Sequence, residues 1–386
     1  MLNDWRNGGF GIYIHWPFCE SKCPYCDFNS HVVAEVDQRS WAQAFVSELE
    51  RYSEELPERI VNSVFFGGGT PSLMSPELVE TVLACIAENW RLANDVEITL
   101  EANPSSVEAG KFRDFQASGI NRVSLGVQSL NDHDLRRLGR RHTAQEAREA
   151  IEIAQKAFLR VSFDLIYARQ EQTIAEWRAE LTQALAFGTE HLSLYQLTIE
   201  NNTAFGRLNA LGKLRGLPAD DLAADLYNVT QEICGAHDLP AYEVSNHAKP
   251  YAQSRHNLIY WRGGDYIGIG PGSHGRITVK NQRFTTSCCG SPSVWLDQAL
   301  AGKTKESRSV LSKTDRAIEY VMMGLRLDEG LSVDRLLDMC PSVLASKNIE
   351  LLQEIGHLEV SENALRVTPS GRMVLNAITG ALLEQL

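Results

Sequence analysis

Six short apolar, β-branched runs recur along the first half of this chain. They are "GIYIHWP" (11–17), "SVFFGGG" (63–69), "EITLEAN" (97–103), "RVSLGV" (122–127), "RVSFDLIYA" (160–168) and "HLSLYQLT" (191–198). Between them lie segments with an apolar period near 3.6, at 38–56, 75–90, 106–118, 131–157 in two pieces, and 173–187. Strand, helix and strand at this spacing predict βα units on a parallel sheet, an α/β fold. Six units suffice for a partial (β/α)6 barrel, whose chemistry sits at the C-terminal ends of its strands. The polar and glycine clusters "CESKCPYC", "GGGTP", "EANP", "GVQS", "DLIYA" and "QLTIE" all fall there. That agreement points to one shared site.

Beyond residue 205 the pattern loosens. A helix is expected near 219–236, followed by "AYEVSNHAKPYAQSRHNLIYWRGGDYIGIGPGSHG", whose glycines, aromatics and histidines read as strands and loops. From about 312 the chain turns helical and ends in a helix, a hairpin-like segment and a helix, similar to a small winged-helix-like module. The expected division is a barrel over 1–205, a middle region over 206–305 and a C-terminal module over 306–386. From Glu306 onward 8 Lys or Arg face 12 Asp or Glu, so the module reads as a packing or partner element. The whole chain carries 49 acidic and 37 basic residues, a net charge of −12, which argues against nucleic acid as a partner. No apolar run approaches the roughly 20 residues of a membrane helix. The N-terminus shows no basic stretch leading into an apolar one, so a cytoplasmic protein is expected. A reducing compartment turns attention from disulfides to metal ligation for its eight cysteines.

Three of those cysteines, Cys19, Cys23 and Cys26, fall within eight residues at the end of the first run. Pro24 disfavours a continuous helix through them, and a loop can turn all three sulfurs toward one centre. Thiolates suit zinc or an iron–sulfur cluster. Zinc needs a fourth ligand, for which His15 and His31 are candidates. The alternative is a four-iron cluster with three protein ligands and one open iron. Small core hydrophobes are a poor reading of cysteines flanked by Pro, Lys and Asp. Cys85, Cys234, Cys288, Cys289 and Cys340 read as bystanders.

"FFGGGTPS" lets the backbone approach a ligand, but no lysine follows, so it is not a P-loop. C-x₃-C-x₂-C with Tyr25 before the last cysteine resembles the radical S-adenosylmethionine (radical SAM) superfamily. The resemblance implies a [4Fe–4S] cluster on Cys19, Cys23 and Cys26, whose open iron takes SAM and whose electron cleaves a C–S bond to give a 5′-deoxyadenosyl radical. The glycine turn then matches the motif that holds the methionine end of SAM. Glu101, Gln128, Arg140 and Asp164, with Tyr13, Gly68, Gly69 and Thr70, match SAM-contacting positions in one family of that superfamily, the oxygen-independent coproporphyrinogen III oxidases and their relatives. Arg141 is the neighbouring alternative to Arg140.

Two features separate the branches of that family. The oxidases carry a fourth cysteine where this chain has Phe28. "RHNLIYW" resembles the H-N-x-x-Y-W motif of the haem chaperone (HemW) branch, which implies haem contact by His256, Asn257, Tyr260 and Trp261. Imidazole is a common haem ligand and aromatics suit a flat macrocycle; the plain alternative is a loop-holding His–Asn pair with Tyr260 and Trp261 as core. His247 and His274 are further candidates. The resemblance implies haem, haem-acceptor proteins and an electron donor as partners, argues against coproporphyrinogen oxidation, and leaves open whether SAM is cleaved. A zinc-stabilised interaction protein is the reading from another class. The chain departs from the family at "ARQ" (168–170), where a Gly-Leu-Pro turn is usual, and at His247, usually Phe.

Overall fold

The computed structural model describes residues 4–341 and 347–384. All six expected strands form: β1 (Phe10–Trp16), β2 (Ile60–Gly68), β3 (Arg91–Ala102), β4 (Arg122–Gln128), β5 (Arg160–Tyr167) and β6 (His191–Gln196). They pair in parallel in that order. Alternation along each strand decides which face is which. Phe10, Ile12, Ile14 and Trp16 are fully buried on one face, as are Leu100, Val123, Leu125, Phe163 and Leu165. The other face carries Gly11, Tyr13 and His15 on β1, then Ser63, Glu97, Thr99, Arg122 and Ser162 on its neighbours.

The outer layer is helical. Thr143 with Glu146, and Thr173 with Glu176, form capping boxes that start the helices Ala144–Ala157 and Ile174–Leu185. Asp37 caps Gln38–Glu55 by accepting from the amides of Arg39 and Ser40. The expected 106–118 helix is split into Ser106–Ala109 and Phe112–Ala117.

The middle of the chain extends the sheet at both edges. β7 (Ala241–Glu243) and β8 (Asn246–Ala248) add antiparallel beside β6. β9 (Asp265–Ile269) pairs parallel to β1, a seventh parallel strand that "DYIGI" did not announce. β10 (His274–Val279), β11 (Gln282–Cys288) and β12 (Glu306–Val310) continue from it as antiparallel hairpins. The order is β12-β11-β10-β9-β1-β2-β3-β4-β5-β6-β8-β7, with its two ends unjoined, so the barrel is open. The helix Arg255–Trp261 packs against β1, β2 and β9. His256 on it reaches Ser63, which pairs in register with Gly11 and with Glu97, near the strands' N-terminal ends. This helix closes the end of the barrel opposite the cysteines.

The C-terminal segment has its own core, built on Tyr320, Leu336, Ile349, Leu365 and Ile378. A three-stranded antiparallel sheet (Leu331–Ser332, Ala364–Val367, Leu358–Val360) lies among its helices, the arrangement expected of a winged-helix-like α+β module. Residues 342–346 and 385–386 of it lie outside the described residues. Among the described residues no helix is long and apolar enough to cross a membrane.

Candidate functional site

The loop after β1 carries the three cysteines. Phe18–Cys19 makes a short parallel pair with His31–Val32, and the Cys26 amide donates to the Cys23 carbonyl at 3.2 Å, a turn and not a helix, as Pro24 requires. The glycine turn of β2 holds this loop. The Gly69 amide donates to Trp16 O at 2.6 Å and the Thr70 amide to Phe18 O at 2.8 Å. A Cβ on Gly69 would stand 2.5 Å from Phe18 O, and Gly68 has φ +108° with the His15 ring 2.6 Å from where its Cβ would be. Only glycine fits either position. The sequence reading gave these glycines to SAM; in the structure they also order the cysteine loop.

One cavity of about 190 Å³ is bounded by Cys19, Cys23 and Cys26 on one side, and by Gly68, Gly69, Thr70, Glu101, Gln128, Arg140 and Asp164 on the others. Ten of the eleven residues expected to hold cluster and SAM thus meet at the C-terminal ends of five successive strands and the loops after them. Tyr13 is the exception. It lies deeper, its hydroxyl 3.0 Å from His15 Nδ1, and does not line the cavity. His15 in turn bonds Asn29 O at 3.0 Å, and His31 Nε2 bonds Asn29 Oδ1 at 3.1 Å. Both histidines considered as zinc ligands therefore have protein partners.

Both Arg140 and Arg141 line the cavity, and Arg140 is the one bonded into its wall. It donates to Asn103 Oδ1 and to Gly126 O at 2.7 Å each, and to Cys23 Sγ at 3.4 Å. Arg141 pairs with Glu20 at the exposed rim. The Thr70 hydroxyl donates to Cys19 Sγ at 3.5 Å. Burial, with the Asp164 charge nearby, pushes Glu101 up to about 8. Burial lifts Asp164 to about 6 against hydrogen bonds from Ser193 and Ser124. Two buried carboxyls facing one space suit a cationic ligand, whose charge restores their ionised form. Asn103, Glu108, Ser124 and His142 also line the cavity and were not singled out in the sequence. Asn103 and Ser124 had a signal: Asn103 directly follows β3, and Ser124 shares the inward face of β4 with Gly126 and Gln128.

The donor set fits a polynuclear cluster. Among the described residues no three His, Cys, Asp or Glu side chains converge closely enough for one metal ion, yet three thiols edge one cavity. Soft sulfurs spread around a space suit an iron–sulfur cluster better than zinc. Arg140 Nε is buried without a partner beside them, a donor left over for a ligand.

A Radical SAM superfamily model matches residues 13–183 and a HemN C-terminal domain model matches residues 311–374. Escherichia coli Heme chaperone HemW is 37% identical over 380 residues, covering 97% of this chain and 98% of the relative. The chain belongs to the HemW family of radical SAM proteins. Family members with this likeness include the Bos taurus mitochondrial Radical S-adenosyl methionine domain-containing protein 1, at 37% over 97% of this chain and 87% of the relative. Another is Heme chaperone HemW of Mycobacterium tuberculosis, at 34% over 97% and 95%. The solved E. coli coproporphyrinogen III oxidase HemN superposes with a TM-score of 0.82 over 99% of this chain and 93% of that chain; at 19% identity the likeness is one of fold. The radical SAM domain of the family implies a [4Fe–4S] cluster and SAM.

The H-N-x-x-Y-W motif does not line that cavity; it lies on the helix Arg255–Trp261. The His256 side chain is enclosed: its residue is 1% exposed. Nδ1 bonds the Ser63 hydroxyl at 2.7 Å, Nε2 bonds the Tyr260 hydroxyl at 2.5 Å, and the ring stacks on Phe65 at 4.9 Å. Its amide donates to Glu97 at 3.2 Å. Burial lowers its pKa to about 3, so the ring is neutral. Neither nitrogen is free for an iron in this conformation; the ring pins the closing helix to the barrel. Asn257 sits at the helix start capped by Ser254, and Trp261 packs edge-on against Tyr242 at 6.0 Å. Of the other candidates, His247 is buried and within 3.3 Å of Gln231, whereas His274 is exposed.

Proposed function

We propose that this protein is a radical SAM haem chaperone: it holds a [4Fe–4S] cluster and SAM at the open end of the barrel, binds haem, and passes haem to acceptor proteins. The observation that carries the reading is the single cavity edged by three thiols, a glycine turn and two buried carboxyls, in a chain whose full-length relatives are named Heme chaperone HemW. Cys19, Cys23 and Cys26 would hold the cluster, which when bound supplies an electron and an open iron site. Thr70 and Arg140 donate to Cys19 and Cys23 sulfurs, and such donors raise a cluster's potential by stabilising its reduced charge. Glu101 and Asp164 would meet the positive groups of SAM, Gln128 and Arg140 its polar ones, and Gly68, Gly69 and Thr70 its backbone-held end. Tyr13 would act on the site through His15. An electron-donor protein would reduce the cluster, in the reducing cytoplasm.

Coproporphyrinogen oxidation is the second reading, favoured by the fold likeness to the E. coli oxidase. Phe28, 57% exposed at the cavity edge, stands against it, because the oxidase-type sequence has a cysteine at that position. Elemental analysis of anaerobically reconstituted protein tests the base of the proposal: about four irons and four sulfides per chain are expected, and one zinc without sulfide refutes it. Haem titration, followed by transfer to an apo-haemoprotein, tests the rest. Protoporphyrinogen formed from coproporphyrinogen, SAM and reductant would select the oxidase.

A further inference from the structure

A second cleft lies at the seam between the closed end of the barrel and the C-terminal module. The barrel side contributes Tyr260, Gly263, Tyr266, Arg276 and Arg283; the module contributes Arg316, Glu319, Tyr320 and Arg335, with Asp4 completing the wall. Four arginines therefore face two carboxylates. Arg276 pairs with Glu319 at 2.8 Å, while Arg335 and Arg316 share Asp4 at 2.7 and 3.4 Å. Arg283 donates to the carbonyls of Gly263 and Gly264 at 2.7 and 2.8 Å. Its nearest carboxylate, Asp265 at 3.8 Å, is already paired with Arg59 at 2.8 Å. The cleft thus keeps an excess of positive charge among largely buried guanidinium groups, which an anion would relieve. The free space, about 50 Å³, admits a carboxylate and not a macrocycle. Three tyrosines line it, Tyr320 among them buried, and Met323 is its exposed apolar residue.

The motif reaches this cleft through one residue. Tyr260 forms part of its wall, 4.3 Å from Tyr266 between ring centres, and its hydroxyl is the one that His256 holds from behind. We propose that the cleft receives a propionate carboxylate of haem among Arg276, Arg283, Arg316 and Arg335, with Tyr260 as the residue of the H-N-x-x-Y-W motif that meets the ligand and His256 as its positioning residue. The excess guanidinium charge supplies the recognition, the carboxylate displacing some of the carbonyl and carboxylate partners these groups now hold, and the ring lies against the aromatic wall. This rests on the haem reading above.

The test is absorbance titration of the reconstituted full chain with haem and with haem dimethyl ester, which lacks the carboxylate charge. Esterification is expected to weaken binding by roughly tenfold or more. Arg276→Gln and Arg316→Gln are expected to weaken haem by about tenfold each and leave the ester unchanged. Arg276→Lys, which keeps the charge, should restore part of the loss. Glu319→Gln releases Arg276 and should tighten haem, an outcome that a merely structural role does not produce. Thermal melts accompany each variant. Haem binding that is equal in all variants overturns the cleft, as does a loss that follows melting temperature and affects haem and ester alike. A wild-type protein that binds no haem overturns the chaperone reading itself.

Discussion

His256→Ala is the substitution on which the two accounts of the motif part. Removing the imidazole strips partners from the Ser63 and Tyr260 hydroxyls, held at 2.7 and 2.5 Å, in a place sealed from water. Each orphaned hydroxyl costs about 1–3 kcal/mol. The ring also leaves a gap against Phe65, which adds about 1–2 kcal/mol. The sum, about 3–8 kcal/mol, is a large share of the roughly 5–15 kcal/mol that holds a domain folded. The expected result is a much lower urea midpoint for His256→Ala, with the closing helix loosened and haem capacity falling in step with the folded fraction. His256→Gln, which keeps a donor and an acceptor, should recover part of the stability. The assay is urea unfolding by far-UV circular dichroism, run beside haem titration under conditions where both variants are fully folded. A His256→Ala protein as stable as wild type, yet unable to bind haem, would refute this reasoning and put the imidazole on the iron.

Other outcomes follow from the same geometry. Gly69→Ala drives a Cβ to 2.5 Å from Phe18 O, so it should cost about 1–3 kcal/mol and lower iron and sulfide content after reconstitution; Gly380→Ala, with nothing within 4 Å in a helix, should be neutral or gain about 0.4–1 kcal/mol. Affinity for SAM, read by equilibrium dialysis, should rise with pH as Asp164 (about 6) and then Glu101 (about 8) ionise, and Glu101→Gln should flatten the upper part of that rise. Buried neutral histidines predict acid sensitivity: His256 and His247 have pKa values lowered by burial to about 3 and about 4, against 6.5 when unfolded. The unfolded chain thus takes up protons first, and stability should fall below pH 6.5 by up to about 1.4 kcal/mol per pH unit for each ring, a slope that melting curves from pH 7 to 5 would measure. Ala168 holds φ +56° at the turn where the family usually has glycine, so Ala168→Gly should raise the melting temperature, by up to about 1 kcal/mol of stability.

The parallel core was legible because both of its faces obey simple rules. Period 2 separated Ile98 and Leu100 from Glu97, Thr99 and Glu101, and strand ends collected the chemistry. The position of Ala168 was legible as a departure, and its left-handed backbone accounts for the usual glycine. β9 was not legible: "DYIGI" is a short strand among glycines, and only pairing with β1 across some 250 residues of chain gives it a partner. The place of His256 was hidden for a related reason. A histidine followed by aromatics looks the same in sequence whether it faces a ligand or fills the foot of a barrel. Three-dimensional register with Gly11 and Ser63 decides, since Gly11 leaves room for the ring 3.3 Å from where its Cβ would be. Tyr13 was assigned to SAM because it matches the family tyrosine; inward alternation sets it below His15, off the cavity wall.

The helix Arg255–Trp261 makes the barrel a vessel with a floor. Between that floor and the thiol-edged mouth stand Phe65, Tyr13, His15 and the Glu97–Arg122–Arg160 ion pairs. Events at one end reach the other only as strain or charge carried by the wall, through rings already in contact: His15, Tyr13, His256, Tyr260 and Tyr266 lie at successive centre-to-centre steps of 5.8, 6.3, 4.8 and 4.3 Å. Whatever couples the two ends of this barrel has to run through its wall.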